Sequence, residues 1–79
     1  MYYVYAIFSK AKNYIYVGIS SDFKRRVNEH NSGKNKTTKL YRPFDLIFKE
    51  KHITRTDARK REKYLKSGVG NEFLKSLIR

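Results

Sequence analysis

Apolar and polar residues fall along this chain in short blocks whose period changes, and the changes mark its elements. Residues 2–8 (YYVYAIF) are aromatic and β-branched and predict a first strand. Lys10 to Asn13 is a polar turn, and Tyr14 to Val17 predicts the second strand of a hairpin, with Gly18 marking its end. Ser20, Ser21 and Asp22 are each suited to cap a helix running to about Asn31, where Asn-Ser-Gly stops it. Residues 32–42 lack periodicity and predict a basic loop. Pro43 precedes an apolar run, Phe44 to Phe48, read as a third strand. Thr54 to Asp57 has the form of a helix start, and that helix runs to about Lys66 and stops near Ser67-Gly68. A last helix, about Asn71 to Ile78, is expected to turn Phe73, Leu74 and Leu77 to the core. The order strand, strand, helix, strand, helix, helix predicts an α+β fold. Its three-stranded, mainly antiparallel sheet is flanked by helices, in one domain over residues 1–79.

The same periods place the polar residues. If Ser9 pairs with Tyr14, Tyr5 faces Gly18 and Ile7 faces Tyr16, so Tyr3, Tyr5 and Tyr16 share one face of the hairpin. Tyr5 and Tyr16 become diagonal neighbours, with backbones about 7–8 Å apart. Ile15 and Val17 take the other face as core, and Tyr14 has no chemical role beyond packing. On the first helix, Phe23, Val27 and His30 form the buried stripe with Arg26 inside it, whereas Lys24 and Arg25 point elsewhere. On the second, Ala58, Arg61, Glu62 and Leu65 share a stripe, which puts a carboxylate on the packing side. Arg26 is then either a side chain that covers apolar surface or an anion ligand. Glu62 is either half of an internal ion pair, to Arg61 or Arg26, or a metal ligand.

Charge narrows the partners. Nineteen Lys plus Arg against seven Asp plus Glu give a net charge of +12 over 79 residues, a field that favours a polyanion. A membrane surface would suit the charge, but no long helix with one apolar and one basic face is visible, so nucleic acid leads. There is no cysteine, which excludes disulfides, thiolate metal sites and a cysteine nucleophile, and fits a cytoplasmic location. The opening residues lack the basic region and long apolar run of a signal peptide, and no segment approaches the roughly 20 apolar residues that span a bilayer.

Phenols on a sheet face, with an arginine, a histidine and a glutamate turned inward, fit phosphodiester chemistry. Arg26 can neutralise a phosphate oxygen by bidentate contact. Glu62 is a hard oxygen ligand suited to Mg²⁺. A tyrosine, with a reference pKa of about 10, becomes a base only where cations lower that value.

The chain resembles the GIY-YIG endonuclease family over nearly its whole length. Tyr3-Val4-Tyr5 and Tyr16-Val17-Gly18 match the two name-giving strand motifs. SSDFKRRVNEHN resembles the family's first helix, with Arg26 at its arginine and His30 at its Tyr/His position. The basic loop with Thr37-Thr38, the Arg42-Pro43 step and Glu62 follow in the family's order. Length and spacing are similar to the small standalone bacterial branch and to the nicking domain of the bacterial excision-repair nuclease, which implies a place in DNA repair. The resemblance implies Tyr16 as general base and Tyr5 as the partner that orients the nucleophile. It implies Arg26 as the transition-state ligand and Glu62 as holder of one Mg²⁺ or Mn²⁺. His30 would transfer a proton or contact phosphate. Gly18 would let the sugar-phosphate backbone approach closely.

Two features depart from that pattern. Tyr3 stands where the family often has glycine. No length of chain is left for a DNA-recognition domain, which predicts weak sequence specificity, recognition of DNA structure, or dependence on a protein partner. Lys24, Arg25, Lys34, Lys36, Thr37, Lys39 and Arg42 are the expected nucleic-acid contacts; the loop members read equally as a solvated loop. Tyr41 and Phe44 suit packing better than base stacking, and His52 has no evident partner. The expected activity is a metal-dependent endonuclease acting on DNA, or on RNA. The alternative is an inactive, basic nucleic-acid-binding module of the same fold.

Overall fold

The computed structural model describes residues 1–78. Strand β1 spans Tyr2–Ser9, β2 Tyr14–Ser20 and β3 Asp45–His52; helix α1 spans Phe23–Ser32, α2 Arg55–Lys66 and α3 Gly68–Ser76. The three strands form one antiparallel sheet in the order β2-β1-β3, so β1 is central and feeds both faces. Val4 and Ala6, with Val17, turn to one face and pack under Ala58 and Leu65 of α2 and Leu74 of α3. Tyr5 and Ile7 turn to the other and pack with Phe23 of α1 and Phe44. Each fully buried large side chain contributes about 1.5–3 kcal/mol. Helices α1 and α2 therefore lie on opposite faces of the sheet.

Local signals explain the ends. Asp22 caps α1 by accepting from the Arg25 amide at 3.1 Å, and Gly33 closes it with a left-handed φ of 82° that few side chains tolerate. Thr54 caps α2 by accepting from the Asp57 amide. Asn31 then ties the end of α1 to the start of β3. Its Oδ1 accepts from the Phe44 amide at 2.6 Å, and its Nδ2 donates to the Phe44 carbonyl at 3.2 Å. These bonds fix both ends of the basic loop, which contains a single 3₁₀ turn, Lys39–Tyr41.

The hairpin register is the one expected, with Tyr5 opposite Gly18 and Ile7 opposite Tyr16. Four expectations change. Gly18 does not end β2; the strand continues to Ser20 because β1 offers pairing partners as far as Tyr3. Strand β3 runs on to His52 because its polar second half pairs with Tyr2 to Tyr5. Helix α3 starts at Gly68, directly after Ser67, whose hydroxyl accepts from the Gly70 amide. That earlier start makes Gly70 and Leu74 the buried stripe and leaves Phe73 and Leu77 at 38% and 45% exposure. His52 does have a partner, Glu50, at 2.7 Å.

Candidate active site

Strand alternation and the α1 period bring four of the expected residues to one face. Tyr5 is 1% exposed, and its ring centroid lies 6.4 Å from that of Tyr16 on the neighbouring strand. His30 reaches down from α1 to the pair. Its Nε2 lies 3.3 Å from the Tyr5 hydroxyl and its ring centroid 4.6 Å from that of Tyr16. Arg26, one turn earlier, places its positive charge beside the Tyr5 hydroxyl and donates to Glu29 at 2.9 Å. Arg26 is half-buried, so its guanidinium can reach both the phenol and solvent.

Burial sets the protonation of this cluster. It is the main cause that pushes the Tyr5 phenol above its ordinary value, with Tyr16 adding to the effect, so Tyr5 stays protonated at neutral pH. Burial, with the Arg26 charge second, lowers the His30 imidazole below its ordinary value and keeps it neutral. A neutral imidazole beside a protonated phenol is a donor–acceptor pair, and the second His30 nitrogen meets Thr38 at 2.7 Å.

Gly18 has a concrete geometric reason to be glycine. A Cβ there would lie 2.7 Å from the Tyr5 hydroxyl oxygen and 3.1 Å from the Tyr16 ring. The room it leaves is filled by the Tyr5 phenol, and residue 18 is itself buried.

Glu62 stands apart from this cluster. It projects from α2, over the opposite face of the sheet, and pairs with Lys66 at 3.1 Å. Neither Arg61 nor Arg26 is its partner: Arg61 meets Glu50, and Arg26 meets Glu29. Its partner Lys66, not Glu62 itself, reaches the edge of the sheet at β2. Lys66, Tyr16 and Asn71 line one cavity of about 250 Å³ along β2.

Lys24, Arg25, Lys34, Lys36, Thr37, Lys39 and Arg42 are all exposed. Lys49 and Lys51 join them from β3, since they pair with Tyr5 and Tyr3 and share their face. Tyr14 is exposed and its ring lies against that of Tyr41, 4.7 Å between centroids; Phe44 is core. Sequence reading missed Glu29, Lys49 and Lys66. The signals for Glu29 and Lys66 were present, three residues after Arg26 and four after Glu62, spacings that pair opposite charges on a helix.

Residues 1–73 match the family profile of the GIY-YIG catalytic domain. The chain belongs to the GIY-YIG family. A UPF0213 protein of Staphylococcus epidermidis is 38% identical over 64 residues, 80% of this chain and 78% of that one. A second, of Staphylococcus saprophyticus, is 34% identical over 75 residues, 94% of this chain and 90% of its own. The solution NMR structure of the UPF0213 protein BH0048 from Bacillus halodurans matches the fold with a TM-score of 0.58 at 33% identity, covering 98% of this chain and 85% of that one.

In this GIY-YIG domain the two strand motifs lie on the paired strands β1 and β2, which puts Tyr5 and Tyr16 on one face. Among the described residues no three His, Cys, Asp or Glu side chains gather into a ligand cluster. Glu62, a single hard carboxylate, is of the donor type that a divalent cation such as Mg²⁺ would take. Its side chain is 16% exposed and its carboxylate is paired with Lys66, so a cation bound there would have to displace that lysine.

Proposed function

We propose that this protein is a divalent-metal-dependent endonuclease that hydrolyses phosphodiester bonds in DNA, nicking with low sequence specificity or by DNA structure. The observation that carries this reading is the contact of Tyr5, Tyr16, His30 and Arg26 on one sheet face, within a GIY-YIG domain.

Tyr16 is the half-buried phenol of the pair, able to meet an attacking water, and would act as its base in the phenolate form, after its own proton has passed to solvent. Tyr5 is fully buried and protonated, so it orients rather than accepts. Arg26 meets the phosphate and balances the charge that grows as water oxygen bonds to phosphorus and the leaving oxygen departs. Glu62 would hold Mg²⁺ or Mn²⁺, which supplies a positive charge against the leaving oxygen. The exposed lysines and arginines contact phosphates, which position a strand without reading its bases.

The test is cleavage of supercoiled plasmid and of branched DNA with Mg²⁺ or Mn²⁺. Wild-type protein converts supercoiled to relaxed circles; Glu62→Ala does not, while keeping its circular dichroism and melting temperature. Equal cleavage by both proteins overturns the assignment.

One observation favours a second reading, a binding module without turnover. Arg26 and Glu62, the two charged groups the chemistry needs, are both held in ion pairs, with Glu29 and Lys66. That reading expects salt-sensitive binding and intact plasmid with every metal tried.

A further inference from the structure

Tyr5 sits in a chain of hydrogen bonds whose direction can be worked out atom by atom. The positive charge of Arg26 beside the phenol favours a Tyr5 oxygen that turns its lone pairs, not its proton, towards the guanidinium. Tyr5 must then spend its single proton elsewhere, and His30 Nε2, at 3.3 Å, is the acceptor in place. A neutral imidazole carries one proton, so if Nε2 accepts, Nδ1 is the protonated nitrogen. Nδ1 lies 2.7 Å from Thr38 Oγ1, which accepts it. All three residues of this relay are buried, Tyr5 and His30 at 1% exposure and Thr38 at 0%, so water cannot substitute for any of them.

We propose that Thr38 is a positioning residue for the cleavage reaction: its hydroxyl fixes the His30 tautomer and thereby the direction of the Tyr5 hydroxyl. With Nδ1–H committed to Thr38, Nε2 presents a lone pair, the Tyr5 proton points at it, and the free side of the Tyr5 oxygen turns towards Tyr16. No proton needs to leave Tyr5; the device orients a phenol that orients the nucleophile. The tautomer of a histidine is set by the bond its other nitrogen makes. Thr38 therefore belongs to the site although it lies in the basic loop, and the loop has an inward-facing purpose besides its exposed lysines. This proposal rests on the nuclease reading for its kinetic consequence but not for the tautomer itself.

Two measurements test it. Nitrogen-15 NMR of the imidazole in wild-type protein reports which nitrogen of His30 carries the proton, whether or not the protein cleaves DNA. The expected result is the Nδ1–H form, lost or mixed in Thr38→Val and retained in Thr38→Ser. In plasmid cleavage, Thr38→Val lowers kcat about 10- to 100-fold, the range seen when an orienting partner of a metal-bound histidine is removed. KM stays within about twofold, and Thr38→Ser restores the rate. An Nε2–H tautomer in the wild type overturns the proposal, as does a Thr38→Val protein with unchanged kcat. A wild type that shows the Nδ1–H form without cleaving supports the placement of Thr38 and counts against the nuclease reading instead.

Discussion

The hydroxyl of Tyr5 occupies the space that a side chain on residue 18 would need: a Cβ on Gly18 would lie 2.7 Å from its oxygen and 2.8 Å from Cζ. Tyr5 is hemmed in on β1 and cannot swing aside as a surface side chain would. Gly18→Ala is expected to lower stability by about 1–3 kcal/mol, the usual cost of overpacking, and to lower cleavage at least tenfold by shifting the phenol. In a Tyr5→Phe background the hydroxyl clash is gone but the ring carbon at 2.8 Å remains, so the cost of the same substitution is expected to be only partly relieved. Urea denaturation of the four proteins of that cycle measures the coupling.

His30 makes stability depend on pH on the acid side. Its folded-state pKa is held below the ordinary histidine value, chiefly by burial and then by the Arg26 charge, with Glu29 opposing. The unfolded chain therefore binds a proton first as pH falls, and the contribution present above about pH 6.5 is lost below it. Melting temperatures measured between pH 8 and pH 5 should fall over the lower part of that range. His30→Gln should start lower and fall less.

The amide of Asn31 makes a two-point bracket to the Phe44 backbone, at 2.6 and 3.2 Å. Asn31→Ala removes both bonds and leaves a part-buried amide and carbonyl without protein partners. A loss of about 1–3 kcal/mol is expected, together with faster tryptic cutting at Lys34, Lys36 and Lys39. Asn31→Asp keeps the acceptor and should lose less.

Removing basic loop residues should change the salt dependence of binding more than its sequence preference. Each phosphate contact contributes about −0.9 to the slope of log affinity against log salt on duplex DNA. Lys34→Ala, Lys36→Ala and Lys39→Ala combined should flatten that slope by up to about 2.7. The measurement is fluorescence anisotropy with a labelled duplex at several salt concentrations. A slope equal to the wild type's would show these side chains to be merely solvated.

The candidate site was legible where it depends on period alone. Alternation on β1 and β2 sufficed to put Tyr5 and Tyr16 on one face, and the 3.6-residue period of α1 separated Arg26 and His30 from Lys24 and Arg25. Features set by long-range pairing were not legible. The second half of β3 is Lys49-Glu50-Lys51-His52, which no hydropathy pattern marks as strand; it is strand because β1 pairs with it. Thr38 read as a loop residue because its contact with His30 closes a loop that nothing local encodes. Helix α3 was misplaced because Gly68 and Gly70 look like breakers. Gly70 is instead buried at the crossing of α3 over α2, where a Cβ would strike the Tyr64 carbonyl.

The sheet has only three strands, and β2 and β3 are both outer ones. Open strand edges invite a second copy to pair and aggregate, and lysines along an edge are a common deterrent. Lys49 and Lys51 on β3, with the net charge of +12, serve that purpose here. The positive field that draws a polyanion is thus also what keeps one molecule's sheet from extending into the next. Substitutions that strip it to weaken binding are expected to lower solubility, most of all in high salt, where the remaining repulsion is screened.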